Sequence, residues 1–202
     1  TQVWNALRPF RMKLLRLAPA KFIHFGTTRE ILALMNTGIE AYESLGWNNQ
    51  TVSSVRGDTA CYNSVLSSHA KIGEGCYLET SYVHSAGTIG DNVVLSYIDI
   101  HDEVIPSDVV IHGLKQKDGK FVARIYGVND DPKKNMLFGK PLEGLEDLWD
   151  SDNHTLWTAK LYPVCDTIPE AIAAALNVYE LFHNGGDVTA WKKAARCPGS
   201  EF

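Results

Sequence analysis

Residues 52–111 contain four versions of one short motif, which read Ser54-Val55-Arg56-Gly57-Asp58, Lys71-Ile72-Gly73-Glu74-Gly75, Thr88-Ile89-Gly90-Asp91-Asn92 and Glu103-Val104-Ile105-Pro106-Ser107. The apolar residues Val55, Ile72, Ile89 and Ile105 in these motifs recur at a nearly constant interval, which is the repeat length. Repeats of this length are too small to bury their own apolar face, and they form a core only by stacking on one another. The motif therefore predicts a solenoid in the middle of the chain.

A shorter step of about six residues divides each repeat. The aliphatic residues on this step are Leu66, Ile72 and Leu78, followed by Val94 and Ile100. A hexapeptide step with Gly, Asp or Asn at the corners is typical of a parallel β-helix, in which about three short strands make one coil. We predict a mainly β fold, a short left-handed parallel β-helix with helical segments at both ends.

The segment before the repeats, residues 1–51, is predicted to contain a helix, a strand and a second helix. The basic stretch from Arg8 to Lys21 predicts a solvated helix face; the alternative, an amphipathic helix on a membrane surface, is disfavoured because Pro9 and Pro19 bracket the stretch. Residues 21–25 predict a short strand that ends at Gly26. Thr27-x-x-Glu30 has the pattern of a capping box, which predicts a helix from Glu30 to Asn36.

The β-helix and a hairpin are predicted to fill residues 52–126, and residues 127–202 are predicted to pack on them. An Asp118-Gly119 pair between apolar runs is a hairpin signal. Residues 127–155 are rich in Asp, Asn, Gly and Pro and predict a long surface excursion. Thr167-x-x-Glu170 predicts a helix that runs to His183 and ends at Gly185-Gly186, and residues 187–196 predict a last short helix.

Composition excludes several classes of function. The net charge of -5 gives no reason to expect binding to nucleic acid, whose protein partners present a basic face. No run approaches the roughly 18 apolar residues of a membrane span, and we expect no membrane partner. The cysteines at 61, 76, 165 and 197 form no Cys-x-x-Cys pair, which favours reduced thiols in a cytoplasmic protein.

The histidines raise two further hypotheses. His84 and His101 are one repeat length apart, so they are predicted to stack on neighbouring coils. A metal site there needs a third ligand, and because His112 is out of phase with the other two we expect none. Alternatively, His69, His84 or His101 could act as the single general base of a β-helix acyltransferase.

Phosphate-binding loops of the standard kinds are absent from the sequence. The one local candidate is Gly26-Thr27-Thr28, which could present backbone N–H groups to an anion at the start of a helix, or could be an ordinary helix cap.

Three stretches, in order, resemble the L-fucose-1-phosphate guanylyltransferases (GDP-fucose pyrophosphorylases), including those fused to L-fucokinase. Phe22-Ile-His-Phe-Gly-Thr-Thr-Arg-Glu-Ile-Leu32 resembles that family's Phe-x-His-x-Gly-Thr-[Ser/Thr]-x-Glu-[Leu/Ile]. Gly119-Lys-Phe-Val-Ala-Arg-Ile-Tyr-Gly-Val-Asn-Asp-Asp131 resembles Gly-x-Phe-Val-x-Arg-x-Tyr-Gly-x-x-Asp, and Leu156-Trp-Thr-Ala-Lys-Leu-Tyr-Pro-Val164 resembles Leu-Trp-x-Ala-x-Leu-[Phe/Tyr]-Pro. The matches span residues 22–164, and the family's own β-helix agrees with the repeats.

The resemblance implies a reaction that joins fucose 1-phosphate to GTP with release of pyrophosphate, with Mg²⁺ required by the intact enzyme. Family members begin with a Rossmann-like domain that binds the nucleotide, and its Gly-rich loop does not occur here. The resemblance therefore implies that this chain is the C-terminal part of such an enzyme and inactive alone. Its expected partners are an upstream nucleotidyltransferase domain, a fucokinase domain and a second copy of the chain.

We expect no catalytic residue and no cofactor in this chain. The candidates for contact with sugar or nucleotide are His24, Gly26, Thr27 and Thr28, at the strand-to-helix junction nearest the upstream domain. The alternatives from other classes are the stand-alone acyltransferase and a non-catalytic interaction module.

Overall fold

The structure, a computed structural model, describes residues 2–38, 59–142 and 155–201, apart from Met12, Leu14, Leu17, Pro19, Lys21, Ile23 and Phe25. The first repeat motif with Val55, and the Asp- and Asn-rich residues 143–154, lie outside the described residues.

Nine short strands stack in parallel to make about three turns of a β-solenoid with three faces, each face a parallel sheet. The first face begins with β1, β4 and β7, the second consists of β2, β5 and β8, and the third consists of β3, β6 and β9. The strands are β1 Ala60–Tyr62, β2 Val65–Leu66, β3 Lys71–Ile72, β4 Tyr77–Glu79, β5 Tyr82–Val83, β6 Thr88–Ile89, β7 Val94–Ser96, β8 Asp99–Ile100 and β9 Val104–Ile105. The predicted β-helix is confirmed, and its left-handed sense stays a prediction.

The repeat sets the register of the coils. Ile72 pairs with Ile89, and Ile89 pairs with Ile105, as their nearly constant spacing in the sequence predicts. A second ladder on the first face joins Leu78 to Leu95. Because paired residues of parallel strands lie directly above one another, each ladder forms a continuous apolar row through the core.

Val94, one of the residues on the predicted hexapeptide step, faces outward instead of into the core of the solenoid. Val94 is only half-buried and packs outside the solenoid against Leu32, Val110 and Val128. Its neighbour Leu95 takes the inward place and is fully buried. The prediction for Val94 is wrong because the coil turns at corners of unequal length, so a fixed hexapeptide step loses phase after one turn.

Two corners of each coil adopt the left-handed backbone conformation. The first is occupied in turn by Asn63, Thr80 and Tyr97, and the second by Gly75, Asn92 and Asp108, all with φ between 45° and 66°. Asn63 and Asn92 donate hydrogen bonds to the side chains one coil further on, Thr80 and Asp108. The predicted preference for Gly, Asp and Asn at corners thus has its cause in this conformation, which those residues adopt at the least cost.

The last coil leads into the predicted hairpin. β10 (Val109–Lys115) pairs in parallel with β7 and antiparallel with β11 (Phe121–Gly127), so the first face becomes a five-stranded sheet. The turn between the two strands contains Asp118-Gly119, with φ of 91° at the glycine.

A long helix, α3 (Ile168–Asn184), packs on β11 and β10 at the hairpin end of the solenoid. Its capping box is present in full, because Thr167 accepts from the Glu170 backbone N–H while Glu170 accepts from the Thr167 N–H. The helix ends at Gly185, as the Gly-Gly pair predicts. Its buried residues are Ala171, Ile172, Ala175, Val178, Leu181 and Phe182.

The predictions for the N-terminal segment are partly wrong. The first helix, α1, is Gln2–Leu7, and the described residues between 11 and 20 form no helix. Pro9 explains the early end, because a proline inside a helix lacks the N–H donor and clashes with the preceding turn. Phe22 and His24 are not in a strand, and the Phe22 side chain is 87% exposed. The capping box at Thr27 is confirmed, and it begins α2 (Thr28–Ala33), which continues as a π-helical turn, Leu34–Gly38.

Most of residues 127–142 are exposed or half-buried, as the predicted surface excursion requires, but they contain regular structure that was not predicted. They form a 3₁₀ turn at Pro132–Lys134 and a small hairpin of β12 (Met136–Leu137) and β13 (Lys140–Pro141). Val128 and Leu137 are buried. The prediction overlooked these two apolar residues because Asp, Asn, Gly and Pro dominate the local composition.

The predicted last helix is shorter than expected. It covers Thr189–Lys193 as α4, and Arg196–Cys197 instead form β15, which pairs with β14 (Tyr162–Pro163). A 3₁₀ turn, Gly199–Glu201, follows. The division of the chain at residues 51 and 126 stays a prediction.

All four cysteines are free thiols, and Cys61, Cys76 and Cys197 are buried. Burial raises the pKa of Cys61 to about 12 and that of Cys197 to about 11. Of the helices in the described ranges, none combines the length and the apolar character that crossing a membrane requires.

Candidate functional site

A cavity of about 240 Å³ lies where three separate parts of the chain meet: the start of α2, the end of β11 with the residues after it, and the segment from residue 156 to β14. Its lining consists of Gly26, Thr27, Thr28, Ile31, Arg124, Tyr126, Asp130, Leu156, Trp157 and Tyr162. No two of these three parts are adjacent in the sequence, so the cavity exists only in the folded chain.

The first wall is the capping box of α2. The Thr27 side chain accepts from the Glu30 N–H at 3.3 Å, and the Gly26 and Thr27 N–H groups donate to Glu30 Oε2 at 2.7 and 2.8 Å. These backbone donors, together with His24, lower the pKa of Glu30. The two N–H groups are therefore satisfied by the chain itself, as in an ordinary helix cap.

Helix α2 is fixed to the solenoid by charge and by packing. Arg29 donates from Nε to Asn129 Oδ1 at 2.5 Å and from Nη2 to Asp108 Oδ1 at 2.8 Å. Leu32, 4% exposed, packs with Val110 and Val128. These contacts hold the first wall against the strand that forms the second.

The second wall is the outer face of β11. Arg124 and Tyr126 occupy alternate positions on a strand and so point to the same side. The Arg124 guanidinium lies over the rings of Tyr126 and Tyr162, 5.5 and 5.8 Å from their centroids. A half-buried cation thus lies between two aromatic rings in the cavity. Across the hairpin it faces His112, whose pKa is lowered by burial and by the Arg124 charge.

Asp130 closes the floor of the cavity. Only 8% exposed, it accepts hydrogen bonds from the backbone N–H groups of Gly127, Phe138 and Gly139 at 2.6, 2.8 and 2.9 Å. Burial raises the pKa of Asp130, and the three N–H donors oppose that shift. The carboxyl group therefore joins the end of β11 to the small hairpin of β12 and β13.

The third wall contains Leu156, Trp157 and Tyr162. Tyr162 is buried at the start of β14, and burial raises its pKa to about 12 although Arg124 opposes the shift. Trp157, in contrast, is 49% exposed. An exposed indole at the mouth of a cavity provides an apolar surface that a ligand can cover.

Of the residues predicted from the sequence to contact substrate, Gly26, Thr27 and Thr28 line this cavity. His24 does not line it, and its Nδ1 atom lies 3.3 Å from Glu30 Oε1. The role of all four in substrate binding stays a prediction.

The residues that line the other two walls were not among the sites predicted from the sequence. Arg124, Tyr126 and Asp130 occupy the fixed positions of the second motif, and Leu156, Trp157 and Tyr162 those of the third. The signal was available: an arginine and a tyrosine at alternate positions within an otherwise apolar strand share one face.

The three motifs all lie within the part of the chain that matches a known protein family. The family model for the fucose pyrophosphorylase domain matches residues 1–167, which include every residue of the cavity lining. The human fucose-1-phosphate guanylyltransferase is 24% identical over 216 aligned residues, and the mouse protein of the same name is 22% identical over 214. The match covers 91% of this chain in both cases, but only 35% of the human and 36% of the mouse protein, so the chain spans about a third of the length of these relatives.

No solved structure shows a significant match to the chain. The match over residues 1–167 nevertheless establishes that the chain belongs to the fucose pyrophosphorylase domain family.

Proposed function

We propose that this chain is the solenoid part of a nucleotidyltransferase that makes GDP-fucose and pyrophosphate from GTP and fucose 1-phosphate. The observation that carries the proposal is the meeting of the three family motifs at one cavity. Each motif alone has a structural explanation, as a helix cap, a strand or a turn. Those explanations give no reason for the side chains of all three to face one space.

The chemistry of the cavity fits a phosphorylated sugar. The guanidinium of Arg124 is suited to a phosphate group, because arginine presents several donors in a planar fork. The exposed face of Trp157 can pack against the apolar face of a sugar ring. The volume of about 240 Å³ is below the roughly 300–1,000 Å³ of most ligand pockets, which favours the sugar phosphate over the larger nucleotide.

The cavity does not fit Mg²⁺. In the part of the lining that the structure describes, Asp130 is the one carboxylate, and both its oxygens already accept backbone N–H donors. We therefore assign no metal-dependent step to this chain. The proposal places Mg²⁺ and the groups that catalyse phosphoryl transfer on an upstream nucleotidyltransferase domain.

In this proposal the chain is a scaffold that positions the catalytic domain, and its three-walled cavity contributes contacts to the sugar phosphate. A fucokinase domain and a second copy of the chain are further proposed partners. The free thiols support a reducing environment, and hence a cytoplasmic location.

The test is an assay of the intact natural protein beside the isolated 202-residue chain, with GTP, fucose 1-phosphate and Mg²⁺. We expect the intact protein to form GDP-fucose and pyrophosphate in equal amounts. The isolated chain should form neither, with its circular dichroism spectrum recorded as the control for folding. Failure of the intact protein to make GDP-fucose would contradict the proposed reaction, and full activity of the isolated chain would contradict the scaffold role.

A further inference from the structure

A second cluster of polar side chains lies on a corner of the solenoid and takes no part in the cavity lining. It consists of His84, Asp99 and His101, from two successive coils. His84 comes directly after Val83, the last residue of β5, and His101 comes directly after Ile100, the last residue of β8. Val83 and Ile100 are paired. The register of the coils thus places the two imidazoles one above the other, as their separation by one repeat length predicts.

The side chains of the two histidines converge on the carboxylate of Asp99. The two imidazole rings are stacked, with centroids 4.1 Å apart and planes 16° from parallel. Both Nε2 atoms point at the same carboxylate: His84 Nε2 lies 2.9 Å from Asp99 Oδ1, and His101 Nε2 lies 3.3 Å from Asp99 Oδ2. One ligand atom from each of the three residues lies within 4.8 Å of the other two.

The distances between the ligand atoms of these side chains are close to those between neighbouring ligand atoms around a bound transition metal ion. Bonds of about 2.0–2.2 Å in a tetrahedral zinc site separate neighbouring ligand atoms by roughly 3.4 Å. Small rotations of the three side chains therefore suffice to admit an ion. The side chains are 37%, 42% and 50% exposed, which leaves the remaining coordination positions open to water.

Neighbouring contacts already orient two of the ligands. The Tyr82 ring packs on the His84 ring with centroids 4.2 Å apart. The backbone N–H of His101 donates to Glu103 Oε2 at 2.7 Å, which fixes the corner that carries this residue. The sequence pattern predicts no metal because no third histidine is in phase, whereas Asp99 in β8 offers the third ligand atom.

We propose that His84, Asp99 and His101 bind a divalent transition metal ion, of the class of Zn²⁺ or Co²⁺, on the outside of the solenoid. Two imidazoles and one carboxylate suit such ions, whereas Mg²⁺ prefers oxygen ligands alone. The ligands of this site therefore differ from the oxygen ligands expected for the Mg²⁺ of the proposed nucleotidyl transfer. It is also independent of the proposed function, because none of its residues lines the cavity.

The test uses the intact metal-free protein, titrated with Zn²⁺ in a calorimeter and with Co²⁺ by visible absorption, in the presence of excess Mg²⁺. We expect His84→Ala, His101→Ala and Asp99→Asn each to lose one equivalent of bound ion or to weaken its binding at least tenfold. The matched controls are His69→Ala, a histidine bonded to Ser68 outside the cluster, and Asp102→Asn, an acid next to His101 that is not in the cluster.

The controls should bind as the wild type does. Equal stoichiometry and affinity in the wild type and all three cluster variants would overturn the proposal, as would a wild-type protein that binds neither ion. Thermal unfolding of each metal-free variant shows whether it is folded. Because the readout is metal binding rather than GDP-fucose synthesis, the result does not depend on the proposed enzyme activity.

Discussion

Replacing Arg124 by alanine in the intact protein is expected to lower kcat/KM for fucose 1-phosphate by about 10- to 100-fold. The magnitude follows from the loss of a charge-assisted hydrogen bond worth roughly 1.5–3 kcal/mol. Among the described residues, Arg124 is the only arginine or lysine in the cavity lining, so no described neighbour in the lining can replace its charge. The measurement is steady-state GDP-fucose formation at varied sugar phosphate.

The control variants separate binding from folding. Arg124→Lys keeps the charge and loses the planar fork, so it should fall between the wild type and the alanine variant. Lys117→Ala removes a charge at the hairpin turn, away from the cavity, and should have normal kinetics. In Arg124→Ala the pKa of His112 should also rise, because the neighbouring positive charge that lowers it is gone. Normal kinetics in the alanine variant would show that the cavity is not the sugar phosphate site.

Replacing Ile105 by alanine should lower the free energy of unfolding by about 2–5 kcal/mol, the usual cost of truncating a buried aliphatic side chain. Ile105 is 1% exposed and lies in the ladder that joins it to Ile89 and Ile72. The measurement is chemical denaturation of the intact protein, followed by circular dichroism.

The neighbouring residue is a matched control for this substitution. Val104 lies in the same strand, on the opposite face, and is 67% exposed. Val104→Ala should change the free energy of unfolding by less than about 0.5 kcal/mol, as surface substitutions usually do. Equal losses in the two variants would contradict the inward orientation of Ile105, and with it the register of the coils.

The solenoid could be predicted from the sequence because its register is a property of spacing. Ile72, Ile89 and Ile105 repeat at the length of one coil, and this spacing places all three in the same row. The prediction failed at Val94, where the phase depends on the local geometry of a corner. It also missed the burial of Leu137, which is surrounded in sequence by residues typical of loops.

The candidate site was predictable in part. The motif at Gly26, Thr27 and Thr28 marked one wall, because a capping box is a local pattern. Arg124 and Trp157 could not be placed together, because they lie far apart in the sequence and only the tertiary fold brings both to the same cavity. The same limit applies to Asp99, whose part in the histidine cluster depends on pairing between coils.

We propose that the three motifs form one binding surface for the sugar phosphate. Hydrogen–deuterium exchange of the intact protein shows whether all three are protected when the sugar phosphate binds. Exchange is compared with and without saturating fucose 1-phosphate. Within the part of the chain that the structure describes, we predict slower exchange in peptides covering residues 26–31, 121–131 and 155–163 together, with no change in those covering residues 60–72. Unchanged exchange in all three segments, under conditions where fucose 1-phosphate is shown to bind, would mean that the three motifs do not form its binding surface.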